Sequence, residues 1–396
     1  MSTTLAPAAD LLSRRARTGT SSAIRDLLQH AQRPGMISLA GGLPDATRFP
    51  LPAIASVAER VVRTQGRRAL QYGVTRGEED TRDACTTLFD DALDADDLVI
   101  TTGSQQGLDL LGQVLVDPGD IVVCSDPDYV GSLQIFRAHR AALHGVRTTP
   151  TGFDTVAFEA DLRRGLRPKA CYVVPHFHNP SGTRMPRDAR EHLAELSSHY
   201  GFVLVEDDPY RELHYDGENP TEAVLDPELH VRLRSVSKTL APGFRIGAMA
   251  APPWLRDAVV SAKQSADLHT STLTQAIAAD CLRADWYPEH IASLRVDHGI
   301  RRDVLCSALQ REFGDRVRFT HPSGGMFVWV DALDGIDSTE LLGHALEENV
   351  CFVPGPAFAV DRDLSIALRL NFTNASEDDL REGVARLGRA RMRALA

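Results

Sequence analysis

Short apolar runs alternate with amphipathic stretches through the middle of this 396-residue chain, and this alternation restricts its fold more than any other feature. Strands buried on both faces of a parallel sheet are apolar throughout, whereas the helices that cover them are apolar on one face only. The pattern therefore predicts a three-layer α/β/α domain with a mostly parallel sheet. The predicted strands are residues 98–102, 121–124, 171–175, 202–206, 231–235 and 246–250. The predicted helices are residues 105–116, 130–139, 158–166, 187–200 and 255–265.

The pattern changes after about residue 284. A long helical stretch to about residue 313 is followed by short strands and helices in mixed order, which is typical of a smaller α+β domain. We expect strands at 316–320, 325–330, 351–353 and 365–372, and helices near 338–348 and from 377 onward. The N-terminal segment is expected to pack against this part, so that both termini build the small domain. The predicted division is 1–60 for the N-terminal arm and part of the small domain, 61–283 for the large domain and 284–396 for the C-terminal small domain.

Composition argues against several classes of function. A net charge of −11 disfavours a nucleic-acid-binding surface, because phosphate binding needs a concentrated basic field. The six cysteines form no Cys-x-x-Cys pair and have no histidine at zinc-ligand spacing, which predicts reduced thiols in a cytoplasmic protein without a metal site. No apolar stretch has the length of a signal peptide or a membrane span, so no membrane partner is expected.

Lysine is rare here, with Lys169, Lys238 and Lys263 as the only three among 43 basic residues. A biased genome would also produce this scarcity, so the surroundings of each lysine decide its meaning. Lys238 lies between Ser235, Ser237 and Arg245, whose hydroxyls and fixed positive charge suit a phosphate held near a reactive amine. An amine can form a Schiff base with an aldehyde. Lys169 is expected to precede a strand, away from such a site, and Lys263 to lie on a helix.

Three more polar clusters follow predicted strands. The segment 101–107 leads from a strand into a helix, where exposed backbone N–H groups and the helix dipole attract an anion, although an N-cap serine gives the same pattern. Asn179 precedes Pro180, which favours an extended backbone that aims the amide into a crevice, or else a plain turn. Asp207 follows an apolar strand, and Tyr210 comes three residues later. A buried carboxylate there needs a cation, such as a metal or a ring with a basic nitrogen.

Ligands of open parallel sheets lie outside the carboxyl ends of the strands, so the four clusters are expected to meet in one crevice. Pyridoxal 5′-phosphate combines a phosphate, an aldehyde and a basic ring nitrogen. With these clusters the chain resembles the fold-type-I, class I/II aminotransferases, including the 2-aminoadipate and kynurenine aminotransferase-like enzymes. The resemblance runs from about residue 22 to the C-terminus. It includes the segments 33–44, 70–73, 263–270, 322–329 and 367–372.

The resemblance implies pyridoxal 5′-phosphate as cofactor and assigns a role to each matching residue. Lys238 would form the Schiff base and shuttle the proton, and Asp207 would pair with the pyridine nitrogen. Tyr210 and Asn179 would bond the phenolic oxygen of the ring, and Tyr129 would stack on its face. The implied phosphate contacts are Ser104, Gln105, Ser235, Ser237 and Arg245, with Tyr72 reaching across from the neighbouring subunit of a homodimer.

For the substrate, the resemblance implies that Arg369 grips the α-carboxylate, aided by Asn179 and the backbone near Gly42. Arg25 matches a position that meets the far end of the substrate, although a solvated arginine on an amphipathic helix is an equal alternative. Two residues depart from the family pattern. His178 stands where glutamine is usual, and Pro209 where a small residue is common.

The implied reaction is the ping-pong transfer of an amino group between an L-amino acid and a 2-oxo acid, with 2-oxoglutarate or pyruvate as one partner. A lyase, decarboxylase or oxidase of specialised metabolism is an alternative on the same fold. A transcription regulator is a remote alternative. It would need a DNA-binding module of roughly 60–70 residues ahead of the fold, and about 20 residues precede the match.

Overall fold

The computed structural model of this chain describes residues 13, 33–89, 93–216, 220 and 228–396. Its strands are β1 (Ile37–Ser38), β2 (Leu98–Thr101), β3 (Ile121–Asp126), β4 (Ala142–Thr149), β5 (Gly152–Phe153), β6 (Ala170–Val173), β7 (Val203–Asp207), β8 (His230–Ser235), β9 (Gly247–Ala250), β10 (Val317–Phe319), β11 (Phe327–Leu333), β12 (Val350–Cys351), β13 (Val353–Pro354) and β14 (Leu368–Asn371).

Its helices are α1 (Leu51–Ala69), α2 (Glu79–Thr86), α3 (Ser104–Leu115), α4 (Val130–Ala138), α5 (Thr155–Arg163), α6 (Arg187–Tyr200), α7 (Pro253–Ala266), α8 (Thr272–Leu282), α9 (Trp286–Phe313), α10 (Ser338–Glu347) and α11 (Glu377–Ala394). Among the described residues, no helix is long and apolar enough to cross a membrane.

The large sheet has eight strands in the order β2-β9-β8-β7-β6-β3-β4-β5. Strands β8, β7, β6, β3 and β4 run parallel, β9 is antiparallel to both of its neighbours, and β5 closes the edge as an antiparallel strand. Successive side chains of β7 face opposite sides, as a strand requires. Val203 and Val205 pack into one apolar cluster, and Leu204 packs into another with Phe158 of α5 and Leu193 of α6. Helices thus cover both faces, which confirms the predicted three-layer architecture.

A second, antiparallel sheet has the order β10-β11-β14-β13. Its apolar face packs with the end of α9, with α10 and with α11. Strand β1, near the N-terminus, pairs in parallel with β12, so Ile37 lies opposite Val350. Segments from both ends of the chain therefore share one core, in line with the predicted small domain.

Helix α1 bears on the predicted boundary after residue 60, which falls inside it. Val57 and Val61 of α1 pack in one cluster with Ile100 of β2 and Ile277 of α8. Since both halves of α1 join the large sheet, we propose a division near residue 50 instead.

Helix α9 belongs to two cores at once. Tyr287 and Ile291 near its start pack with α1 and α8, whereas Leu305 and Leu309 near its end pack in the small-domain core. A single helix of 28 residues therefore joins the two packing units.

Candidate active site

A cavity of about 380 Å³ opens at the carboxyl ends of the large sheet, and Arg369 of the small sheet contributes to its wall. The turns after β2, β3, β6, β7 and β8 each contribute side chains to it, as expected for a parallel sheet. It brings together most of the residues that the sequence predicts for the site, namely Gly42, Ser104, Gln105, Tyr129, Asn179, Asp207, Tyr210, Ser235, Ser237, Lys238, Arg245 and Arg369.

The Lys238 amine faces this cavity three residues beyond the end of β8. Its Nζ donates a hydrogen bond to the Gly42 carbonyl at 2.9 Å. Burial, together with the charges of Arg369 and Arg245, lowers the pKa of Lys238 to about 8. A large fraction of this amine is therefore neutral near pH 8, the form that acts as nucleophile or base.

The Asp207 carboxylate lies at the end of β7 and is buried. Tyr172 donates a hydrogen bond to Oδ2 at 3.2 Å, while Oδ1 has no hydrogen-bond partner. Burial raises the pKa of Asp207 to about 7, and Asp208 adds to the rise, although Ser104, Tyr172 and Arg234 oppose it. The Ser104 hydroxyl lies near Asp207 and therefore lowers the pKa of its carboxyl group. The geometry between the two groups is not that of a normal hydrogen bond, so the buried Ser104 Oγ has no hydrogen-bond partner.

The two acids beside Asp207 are both paired with cations. Glu206 accepts two hydrogen bonds from Arg190, each 2.8 Å long, and Asp208 contacts His176 at 2.6 Å and Arg234 at 3.3 Å. Burial would raise the pKa values of both acids, but these partners hold them below the ordinary values. No ion pair to Asp207 occurs within the described ranges. Asp207 is thus the acid that can receive a cation from a ligand.

Hydroxyls and a guanidinium converge at the other end of the cavity. Ser235 donates to the Ser237 hydroxyl at 2.8 Å, and Arg245 donates from Nη2 to the Thr102 carbonyl at 3.0 Å. Gly103, with φ of +77°, lets the guanidinium lie against this turn, since a Cβ there would come within 2.6 Å of Nη2. Such a set of donors at the start of α3 suits a phosphate.

Arg369 of β14 is buried on the opposite wall. It donates to Asn179 Oδ1 at 2.8 Å and to the Ala40 carbonyl, and its Nε has no partner. Its guanidinium lies 4.2 Å from the centroid of the Phe327 ring. Burial lowers the pKa of Arg369 to about 10, against the opposing effect of two tyrosines. No acidic side chain of the described residues pairs with Arg369, so a ligand carboxylate fits there.

Two tyrosines border the space between Lys238 and Asp207. Tyr129 donates from its hydroxyl to Gln105 Oε1 at 3.2 Å. Tyr210 is buried, and this burial raises the pKa of its hydroxyl, while Asn179 acts in the opposite direction. Both phenols therefore stay protonated near neutral pH and can donate hydrogen bonds.

Buried polar atoms without hydrogen-bond partners show whether pyridoxal 5′-phosphate fits the cavity. Ser104 Oγ, Asp207 Oδ1 and Arg369 Nε are buried polar atoms without partners around one cavity that also holds the Lys238 amine. Unsatisfied buried polar groups are rare unless a ligand satisfies them. The residues present match a phosphate, a protonated ring nitrogen and a carboxylate.

One predicted residue, Tyr72, does not line the cavity. Tyr72 is 79% exposed and contacts the edge of the His269 ring, with 5.9 Å between centroids. Arg25 lies outside the described residues. His178 is buried, and its ring nitrogens contact Ser181 at 2.8 Å and Asp128 at 3.2 Å, whereas Pro209 lines the cavity.

Sequence reasoning missed Tyr172 and Gln134, which also line the cavity. Tyr172 carries a polar hydroxyl inside the otherwise apolar strand β6. That hydroxyl was the available signal, because strands β6 and β7 end at the same edge of the sheet.

The chain is similar to known proteins over almost its entire length. The family model described as aminotransferase class I and II matches residues 34–387. The aromatic-amino-acid aminotransferase 1 of Thermococcus litoralis is 38% identical over 377 residues, covering 93% of this chain and 90% of that protein. The 2-aminoadipate transaminase of Thermus thermophilus is 38% identical over 375 residues, covering 93% and 94%. The crystal structure of Pyrococcus horikoshii kynurenine aminotransferase in complex with PMP has a TM-score of 0.93 at 36% identity over 98% of each chain.

Proposed function

Since the chain belongs to the class I and II aminotransferases, which move an amino group between an amino acid and a 2-oxo acid with pyridoxal 5′-phosphate, we propose a role for each group around its cavity. The bound cofactor supplies an aldehyde and a ring that accepts electrons. Lys238 is the amine that attaches it, and Asp207 is the partner of its ring nitrogen. The observation that carries this proposal is the buried Asp207, which forms no ion pair with any described residue and faces the same cavity as Lys238. The lyase and regulator alternatives gain no support from the relatives named above.

Proton transfer is the second proposed task of Lys238. Its Nζ is the basic atom that takes the α-proton of the substrate and returns it. A pKa of about 8 suits this exchange, because acid–base catalysts work best when their pKa lies near the working pH. A protonated ring nitrogen beside Asp207 would lower the pKa that burial raises, so the carboxyl group would stay negatively charged there.

The remaining lining residues hold the cofactor in this proposal. Ser104, Gln105, Ser235, Ser237 and Arg245 would bind the phosphate, since their donors converge at the start of α3. Tyr129 would stack on the ring, and Tyr210 with Asn179 would bond its phenolic oxygen. All of these residues face one cavity, which supports the assignment.

Arg369 is proposed to bind the substrate α-carboxylate. Replacing it by lysine is expected to raise KM for the amino acid about 10- to 100-fold, because a lysine loses the two-pronged contact that a guanidinium offers a carboxylate. Steady-state kinetics on the purified variant measure the change. An amine substrate that lacks the carboxylate serves as the control, and its rate should stay within about twofold of the wild-type value. A variant with unchanged KM for amino acids would contradict the role.

The amino donor is proposed to carry an aromatic or a long acidic side chain, with 2-oxoglutarate or pyruvate as acceptor. The support is the similarity to an aromatic-amino-acid aminotransferase and a 2-aminoadipate transaminase. A panel of amino donors with each acceptor tests the proposal, comparing the wild-type protein with Arg25→Ala. We expect kcat/KM to be highest for these two classes of donor. A best donor that is small and aliphatic would be incompatible with the proposal.

We also propose a cytoplasmic homodimer in which Tyr72 reaches the phosphate in the partner's cavity. The exposed positions of Leu70, Tyr72, Val74 and Leu268 support this, since exposed apolar patches mark interfaces. Arg245 is also exposed, so the phosphate end of the cavity is open to a second chain. The cytoplasmic location is supported by the six cysteines, all of which are free and buried.

A further inference from the structure

Lys263 of α7 is fully buried, although lysine is among the residues least often found there. Its ammonium group lies within hydrogen-bond distance of four oxygen atoms, which its three N–H groups share. These are Gln106 Oε1 at 2.8 Å, both carboxylate oxygens of Asp267 at 2.9 Å, and Thr270 Oγ1 at 3.0 Å. The negative charge of Asp267, which lies four residues after Lys263 on the chain, balances the positive charge of the ammonium group. The Lys263 amine is therefore part of a neutral hydrogen-bonded network, with the Asp267 carboxylate on its partly exposed side.

The network continues directly into the turn before α3. Gln106 Oε1 also accepts the backbone N–H of Thr102 at 2.7 Å, so one amide oxygen joins Lys263 to that turn. The Thr102 hydroxyl donates to Asp267 Oδ2 and contacts the Thr270 hydroxyl, both at 3.2 Å. Lys263 thus holds Thr102 at its main chain and, through its partners, at its side chain.

Thr102 in turn holds a phosphate-binding group. Its carbonyl accepts the hydrogen bond from Arg245 Nη2 at 3.0 Å, and the next two lining residues, Ser104 and Gln105, follow it on the chain. A shift of Thr102 would displace Arg245 on one side and the start of α3 on the other. Arg245, Ser104 and Gln105 therefore depend on the position of one residue, Thr102, whose N–H is held by Gln106 and, through it, by Lys263.

We propose that Lys263 is a positioning residue that preorganises the phosphate end of the cavity through Gln106 and Thr102. The inference rests on the proposed function, because it takes that end to be the phosphate site. Lys263 itself contacts neither the cavity nor the amine of Lys238. Its effect should therefore fall on cofactor affinity through the phosphate, and not on the aldehyde end.

The test compares pyridoxal 5′-phosphate with pyridoxal, which has the aldehyde but no phosphate. Full-length Lys263→Met and wild-type protein are titrated with each compound, and binding is followed by the visible absorbance of the bound compound. We expect the dissociation constant for pyridoxal 5′-phosphate to rise about 10- to 100-fold, by analogy with the loss found when a residue that supports a metal ligand is replaced. The dissociation constant for pyridoxal should stay within about twofold of the wild-type value, since the Lys238 end is untouched.

Lys169→Met is the matched control, because it makes the same substitution at a lysine that is 48% exposed and far along the sheet. It should bind both compounds as the wild type does. Asp267→Asn keeps the side-chain shape and guards against misfolding of the methionine variant. Its affinity for pyridoxal 5′-phosphate should fall less than that of Lys263→Met, and its affinity for pyridoxal should again be unchanged.

Equal affinity of Lys263→Met and wild type for pyridoxal 5′-phosphate would overturn the inference. An equal loss for both compounds would do so too, since it would indicate general destabilisation. A wild-type protein that binds neither compound would overturn the proposed function together with this inference. The wild-type titration therefore separates the two failures.

Discussion

Replacing Lys238 by alanine is expected to lower kcat for transamination by about 10³-fold or more, because one substitution removes both the attaching amine and the general base. The methyl group of alanine cannot reach the Gly42 carbonyl or the cavity. Stopped-flow measurement of amino transfer from substrate to bound cofactor reports the step directly, without interference from product release.

Lys169→Ala is the control for the loss of a lysine, and its activity should equal that of the wild type. The Lys238→Ala protein should still bind pyridoxal 5′-phosphate, because Asp207, Ser235, Ser237 and Arg245 remain. A variant that keeps cofactor and more than about a tenth of the wild-type rate would rule out Lys238 as the catalytic amine.

Replacing Asp207 by asparagine is expected to lower the activity of the enzyme and to raise the stability of the cofactor-free protein. The asparagine cannot hold a charge against a protonated ring nitrogen, so kcat/KM is expected to fall about 10²- to 10³-fold, the usual cost of losing one electrostatic group at a reacting centre. In the cofactor-free protein the same change should be stabilising. It removes a buried carboxylate that lacks a cationic partner among the described residues.

The gain in stability depends on pH in a definite direction. The pKa of Asp207 is raised from 3.8 to about 7, so the folded chain holds this proton more tightly than the unfolded chain. Below about pH 4 the carboxyl is protonated in both states and costs nothing, whereas above pH 7 the full cost is present. The advantage of Asp207→Asn should therefore grow between these limits, to at most about 4 kcal/mol. Urea unfolding of the cofactor-free proteins at pH 5.5 and pH 8 measures it.

Asp208→Asn gives the contrast, since it carries the same substitution at the next residue. It removes the carboxylate charge that lies beside the buried guanidinium of Arg234 and weakens the contact with His176, so we expect a loss of about 3 kcal/mol at pH 8. If Asp207→Asn destabilises the cofactor-free protein as much as Asp208→Asn does, the assignment of Asp207 as the unpaired acid is wrong.

That the polar clusters meet at one site could be predicted from the sequence, because each cluster is placed by the strand that directly precedes it. Each polar cluster follows an apolar strand, and parallel strands end at one edge, so Lys238, Asp207 and Asn179 had to approach each other. The alternation of strand residues could not by itself show which of the adjacent acids faces the cavity, and the choice of Asp207 came from the family resemblance. Strand alternation puts Asp207 and Asp208 on opposite sides, but the pairing of Asp208 depends on Arg234 of a neighbouring strand.

Other features of the fold could not be predicted from the sequence because they depend on contacts between distant segments. Strand β4 (Ala142–Thr149) was not predicted, because its partly exposed position allows His144, Arg147 and three further residues that break an apolar run. The predicted strand 351–353 proved to be two, since β12 and β13 join different sheets on either side of Phe352. Lys263 was predicted only as helical. Its burial depends on Gln106, which lies 157 residues away in sequence.

Helix α9 has a mechanical consequence for the enzyme. Its 28 residues make a rod of roughly 42 Å, at about 1.5 Å per residue, that is embedded at both ends in different cores. Any rotation of one core against the other must bend this rod or break its hydrogen bonds. Lys238 lies in the strand-end loop of one core and Arg369 on a strand of the other, so the stiffness of α9 limits how far the distance between amine and guanidinium can vary.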